Sequence, residues 1–471
     1  MPRCVGDRNI LPLVTTANGI IFSSPEHEDN DCTTVRRYNC GVHRLTPSRP
    51  PFDHQWLDEL ADGCRGLRGS HPRFEDLFLE RRLEIRVSAG AEVATCRMEG
   101  GAARWRFPSR SAIHAAAGVS SRAVSDLVSH FADRLEVAPG PPPPATDLDP
   151  PTGWVDWARD LAERQGARGA VIRFLSRRAV VVRRNGWRQV ASPSLVRIET
   201  GPDLGVALLA VWGQPRLGDW IREVFETAPA KVWTPPAGLQ VPVVLSNGTA
   251  GALLHELVGH LLEGDLIAAG RSPLAGLGGA NLTEAAIDVV DDPGRDDLPG
   301  AFDTDDEGVP AKPVILVRSG RLCGLLCDRE TAAICDVGPG RGRRADWRHP
   351  PVPRLSNLVV SRGEESPESL EAGLTRGLVV TRLAGATVDP ISCRTVLRVE
   401  RGFEIRNGRR RRPLGPFELT GGVTEILAGI DPAVGNDPSP DWRLGWCVKD
   451  GLPLPTGSEA PTILIHRLEV L

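Results

Sequence analysis

No run of about eighteen consecutive apolar residues occurs in this 471-residue chain, so no transmembrane helix is expected. The first residues, MPRCVGDRNILPLVTT, carry only a short apolar patch. They lack an apolar core followed by a small-residue cleavage site, so no secretory signal is read and a cytoplasmic protein is expected. An excess of basic charge is also missing. Lysine plus arginine number 56 against 60 acidic residues, a formal net charge of -4. That balance gives no reason to expect nucleic acid or a membrane surface as a partner. Lysine itself is nearly absent: Lys231, Lys312 and Lys449 are the only ones. Arginine takes its place, a composition read as genome base content rather than function. There is no dense cysteine framework, because the ten cysteines are scattered along a long chain. In a reducing compartment they are expected as free thiols. No internal repeat of solenoid period is found.

What is present is ordinary for a globular protein, with 41% hydrophobic and 25% charged residues. The length exceeds one common core, so several domains are expected. Residues 1–50 are polar and aperiodic and read as an N-terminal extension. An N-terminal α+β domain is expected over 51–137. It contains a helix from Leu57, the strand-like runs DLFLERRLEIRVSA, AEVATCRM and ARWRF, and the amphipathic stretch SRAVSDLVSHFADRLEV. Residues 138–151, APGPPPPATDLDPP, read as a stiff proline-rich linker. A central α+β unit over 152–236 opens with the helix WVDWARDLAERQG and closes with LGDWIREVFETA. Between them Asn185-Gly186 separates two strand-like runs, a hairpin signal. From 237 to 471 the helix AGALLHELVGHLL follows a strand, VPVVLS. Short apolar runs broken by Gly, Pro and Asp come next, with a second hairpin signal at Asn407-Gly408. The fold class expected is α+β, with an antiparallel sheet in the N-terminal part and a β-rich C-terminal domain.

The chemistry-bearing stretch is HELVGHLLEGD, residues 255–265. Two imidazoles with a carboxylate beside the first suit a metal centre at which the carboxylate takes a proton from water. The spacing is HExxxH rather than HExxH. Histidines five apart on a regular α-helix differ by roughly 140° in direction and face apart. One extra residue in the turn, as in a π-bulge, would bring His255 and His260 to a common face, and Gly259 sits where the distortion is cheapest. The alternative is two histidines satisfied near a helix end. Glu263, three residues after His260, can share its face as a metal ligand, as a partner behind one of the histidines or as a plain helix-terminal charge, and the partner role is the one expected.

HELVGHLLEGD resembles the HExxxHxxEGD signature of the TldD/PmbA family. Further segments are similar in the same order: VPVVLSNGTAGALLHE, FDTDDEGVPAKPVILVRSGRL, RHPPVPRLSNLVV and DWRLGWCVKDGLPLPTGSEAPTILIHRLEVL. The resemblance covers about residues 70–471 and is strongest in the last half. It implies a metallopeptidase domain over 237–471, with zinc held by His255, His260 and Cys447 and with Glu256 as general base. It also implies an extended peptide substrate lying along a β-edge. The partner implied is a metal-lacking paralogue of the same family in a heterodimer, or otherwise a second copy of this chain. Departures occur at Cys447-Val448-Lys449-Asp450-Gly451-Leu452 and at Leu355-Ser356-Asn357. They leave ligands and base intact but touch the substrate surface, as would suit a peptidase specialised for a natural-product or modified-peptide intermediate. The reading from another class is a non-catalytic peptide-binding subunit of such a complex.

Other signals have blander readings. Cys32, Cys40 and His43 offer only three candidates for a small metal site. Cys323, Cys327 and Cys335 lie in apolar sequence and read as core thiols. Arg409 to Arg412 read as a solvated loop rather than a nucleic-acid patch.

Overall fold

The computed structural model describes residues 73–117 and 148–471, apart from short breaks at 91–92, 108–109, 166–168, 184–185, 201–204, 227–230 and 444. It also describes positions 58, 61, 123, 124 and 127, all helical, inside the two helices expected before the linker. The extension over 1–50 and the candidate trio Cys32, Cys40 and His43 lie outside the described residues.

The N-terminal part is built on one antiparallel sheet of seven strands: β1 (Arg73–Ser88), β2 (Ala94–Phe107), β3 (Arg110–Ala117), β4 (Val171–Arg183), β5 (Gly186–Ala191), β6 (Leu195–Thr200) and β7 (Gly205–Val211). Their order is β3-β2-β1-β4-β6-β7, with β5 also on β4. Strands β1 and β4 pair from Leu77↔Val182 to Ser88↔Val171. The segments 51–137 and 152–236 therefore share a sheet although the proline-rich stretch lies between them. Arg183 faces Gly186 across the β4–β5 hairpin, as expected at Asn185-Gly186.

Two helices cover one face. Helix α1 (Trp154–Arg164) buries Trp154, Ala158, Leu161 and Ala162, one stripe of a 3.6-residue period. Helix α2 (Leu217–Val224) buries Leu217, Trp220 and Val224 at the same spacing. Both pack on Leu83, Ile85, Ile172, Phe174, Ile198 and Leu208. Trp442, from the C-terminal half, joins this core and stacks on Trp220 with centroids 6.4 Å apart. The opposite face docks on the C-terminal half through buried ion pairs. Arg344 meets Asp76 at 3.2 Å, Arg104 meets Glu307 at 2.7 Å, and Arg177 meets Asp306 at 2.9 Å.

The C-terminal half is strand-rich. Strand Gln240–Leu245 pairs with Arg376–Asp389 and with Ile463–Val470; the latter pairs with Phe417–Gly422, which pairs with Arg394–Arg406. Arg394–Arg406 returns to Arg376–Asp389, so the five strands close a circuit. Val243, Leu245, Leu378, Val380, Leu397, Leu419 and Ile465 belong to its apolar core. Asn407 and Gly408 take φ values of 49° and 66° and turn Arg406 directly onto Arg409, as an Asn-Gly hairpin should. Arg409 to Arg412 correct the loop expectation: they form strand Arg409–Leu414, where Arg410 pairs with Glu371 and Arg412 with Glu404. Carboxylates from the strand across the turn (Glu404) and from helix Pro367–Ala372 (Glu371) offset the charge of this exposed arginine strand.

Candidate metal centre

Helix Thr249–Leu254 is buried at every position and contacts strands Arg376–Asp389, Asn357–Val360 and Gly457–Ala460. It delivers the chain into a π-helical turn, His255–Gly259, then a 3-10 turn, His260–Leu262, and a short α-helix, Gly264–Ala268. The wide turn is what the five-residue spacing demanded. It sets the His255 and His260 rings 4.9 Å apart, centre to centre and nearly perpendicular. Gly259 lies in the ordinary right-handed region, with φ -61°. Its glycine answers packing: a Cβ there would overlap Cδ2 of Leu355.

Cys447 arrives from a hairpin, Trp446–Lys449 with Leu452–Pro455. Asp450 and Gly451, with φ 52° and 76°, make its two-residue turn. Residues two apart on a strand share a face. Cys447 and Lys449 therefore both face the histidine turn, while Val448 between them is exposed. The Cys447 Sγ lies 3.1 Å from His260 Nε2. One donor atom each from His255, His260 and Cys447 falls within 4.8 Å of the others.

Glu263 is fully buried, 3.2 Å from His260 Nδ1. Protonated at Nδ1, the ring donates to Glu263 and presents Nε2 toward Cys447. Lys449 Nζ lies 2.9 Å from Glu263, 2.7 Å from Asp265 and 3.1 Å from the Pro353 carbonyl. Arg354, also buried, donates to the Cys447 carbonyl at 2.9 Å, to its Sγ at 3.3 Å and to the Leu452 carbonyl at 3.0 Å. Lys449 thus fastens the cysteine hairpin to the histidine turn, and Arg354 fastens the same hairpin to the segment that precedes Leu355. Sequence reasoning assigned neither a role. The Asp450-Gly451 dipeptide was the signal that could have placed Lys449 beside Cys447 on one strand.

The electrostatics follow from these contacts. Burial pushes the Cys447 thiol up, but the His260 and His255 imidazoles outweigh it and hold the thiol well below its ordinary range. Burial likewise opposes charge on His260, yet Glu263 and Cys447 raise it well above the ordinary imidazole value. Glu263 is held at about 2 by His260 and Lys449 despite its burial. Glu256 goes the other way: burial raises its carboxyl, with His260 and His255 opposing. A thiolate and two imidazoles are a soft N/S donor set that fits zinc, and three protein donors leave a fourth position for water.

These groups line a cavity of about 620 Å³ together with residues 384–388 of strand Arg376–Asp389. That strand pairs with Gln240–Leu245 only over 378–380. Beyond Val380, among the described residues, its second edge has no strand partner. The Val388 N–H on this edge donates to Glu256. Among the remaining cysteines Cys327 is buried as expected, whereas Cys323 is exposed and Cys335 half-buried, so the core reading holds for Cys327 alone.

The fold and this cluster define a candidate His-His-Cys metal centre walled by a carboxylate and a free strand edge. Residues 238–471 match the family model described as PmbA/TldA metallopeptidase C-terminal domain. The chain belongs to the TldD/PmbA family. Similar curated proteins are the metalloprotease TldD homologs of Haemophilus influenzae, 33% identical over 50% of this chain and 48% of the relative, and of Buchnera aphidicola, 30% identical over 55% and 54%. A zinc metalloprotease TldD homolog of Saccharolobus solfataricus is 26% identical over 50% of this chain and 52% of the relative. The matches thus span about half the length of these relatives. In fold the chain is similar to TldE of Thermococcus kodakarensis, with TM-score 0.60, 15% identity and coverage of 84% of this chain and 95% of that one. It is also similar to a Thermotoga maritima protein described as a modulator of a DNA gyrase, with TM-score 0.61, 18% identity and the same coverage.

Proposed function

We propose that this chain is a cytoplasmic metallopeptidase that hydrolyses peptide or amide bonds, with a metal held by His255, His260 and Cys447. The observation that carries the reading is the meeting of those three donor atoms within 4.8 Å on the wall of a cleft that Glu256 also lines. Zinc bound there would supply Lewis acidity toward a carbonyl and lower the pKa of a water to about 7. Glu256 is the general base. Its carboxyl, raised by burial, is suited to take a proton from water and hand it to the departing amine. Glu263 holds the His260 tautomer, and Lys449 holds Glu263.

The substrate backbone lies along the free edge at residues 384–388, by strand addition. The chemistry belongs to a metallopeptidase domain over 237–471. The partner is a metal-lacking paralogue of the same family, or otherwise a second copy of the chain. The departures after Cys447 line the cleft and suit a specialised peptide intermediate as substrate, whereas Leu355 is buried in the core against Gly259.

Metal content measured beside hydrolysis of unstructured peptides tests this. Glu256→Gln should keep the metal and lose roughly 10²- to 10⁴-fold in rate. A metal-free, inactive wild type would instead favour a non-catalytic peptide-binding subunit, and a fully active Glu256→Gln would strike the assigned base.

A further inference from the structure

We propose that the cleft selects peptides carrying an acidic side chain close to the scissile bond, and that Arg398 reads that charge through a gap left by Gly385. The inference rests on the peptide-cleft reading above and adds the substrate class.

Arg398 lies on strand Arg394–Arg406, directly opposite Gly385 of the neighbouring strand. A Cβ on Gly385 would overlap the Arg398 Nη2 and come within 2.8 Å of its Nε and 3.0 Å of its Cζ. The guanidinium therefore lies flat across the backbone of Gly385. It reaches over that strand to line the same cavity as His255, Glu256 and Cys447. Gly385 does not have positive φ, so its backbone does not require glycine. A glycine there leaves the arginine this path across the strand. The register of this strand pair is irregular just there, between Leu383 and Gly385, as is common for strands that re-aim a side chain beside a site.

The charge balance of the cleft leaves the same residue free to bind. Its acidic lining consists of Glu256, Glu263, Asp265 and Asp450. Lys449 occupies Glu263 and Asp265, and Glu256 accepts the Val388 N–H. The remaining cations are Arg271, Arg398 and Arg443. Arg443 is buried, donates to the Thr381 carbonyl at 3.2 Å and has Asp441 at 3.8 Å. Arg271 and Arg398 are both exposed, and among the described residues no hydrogen bond or ion pair engages either side chain, but of the two only Arg398 lies against the strand at Gly385. An unpaired, planar guanidinium laid against the strand edge where a peptide would pair is a carboxylate receptor. Because strand side chains alternate, every second residue of the added peptide would fall on the Arg398 face. Glutamate or aspartate there makes the ion pair that the protein itself leaves unmade.

The test uses two unstructured peptides identical except for glutamate or glutamine at alternate positions. Their affinities are measured by fluorescence anisotropy on metal-loaded full-length Glu256→Gln, which prevents turnover. The glutamate peptide should bind roughly tenfold more tightly, the scale of one charge-assisted contact, and the preference should shrink as salt is raised. Arg398→Gln should erase the preference, and Gly385→Ala should reduce it while keeping every charge. If Gly385→Ala does not fold, Arg398→Gln alone decides. Equal or undetectable binding of the two peptides, or a preference that survives Arg398→Gln, would overturn the proposal. An Arg398-dependent preference in a wild-type chain that hydrolyses nothing would strike the peptidase reading and leave the selection of acidic peptides standing.

Discussion

Two side chains in the centre, Glu263 and Lys449, act through others, and their contacts set what each substitution should do. His260 keeps its orientation because Glu263 accepts from Nδ1 and Lys449 holds Glu263 in turn. Removing the Glu263 charge should weaken metal retention by roughly 10- to 100-fold, the usual cost of losing a partner behind a histidine ligand. Competition with a chelator measures this for Glu263→Gln. Cys447→Ser removes a donor outright and should lose metal and activity together. Acid sensitivity follows from the same carboxylate. Its folded pKa of about 2 lies below its ordinary 4.5. A depressed carboxylate stabilises the fold fully above the higher value and loses that contribution as pH falls toward the lower one. Unfolding of the metal-free protein should therefore show an acid-labile component between those values that Glu263→Gln lacks; an identical pH profile in the variant would refute it.

At the scale of the element, the wide turn is a packing device as well as a spacing device. Gly259 touches Leu355, and a methyl group there has no room. Gly259→Ala should destabilise the protein by about 1–3 kcal/mol, as overpacking does, and Leu355→Ala in the same chain should recover part of the loss. Chemical denaturation of the four members of this cycle checks it, and strict additivity would contradict the contact. The turn was legible in the sequence because its evidence is angular: histidines five apart cannot face one way on a regular helix. Asn407-Gly408 was legible for a similarly local reason, since both residues tolerate positive φ. Leu355, Arg354 and Lys449 were not legible as partners of the site. Their roles arise from contacts over 90 or more residues of sequence, such as Arg354 to Cys447, which no local period records. The pairing of β1 with β4 across the proline-rich stretch was hidden for the same reason.

The whole molecule joins its two halves through charge buried beneath the N-terminal sheet. Arg104 meets Asp76 and Glu307, and Glu307 depends on that neighbour to offset its burial. Arg104→Met should leave two buried carboxylates short of a cation and cost about 3–5 kcal/mol, measured by denaturation. A loss under roughly 1 kcal/mol would mean that the interface tolerates the change by hydration. This docking brings Trp442 and Arg443 against the N-terminal half while Trp446 and Cys447 follow on the same segment, so the cysteine hairpin is held from both sides. The most direct measurement is X-ray absorption at the zinc edge of the zinc-loaded chain. One sulfur at about 2.3 Å and two imidazole nitrogens at about 2.0–2.1 Å should appear, with the sulfur lost in Cys447→Ser. A shell of nitrogen and oxygen alone in the wild type would contradict the centre described.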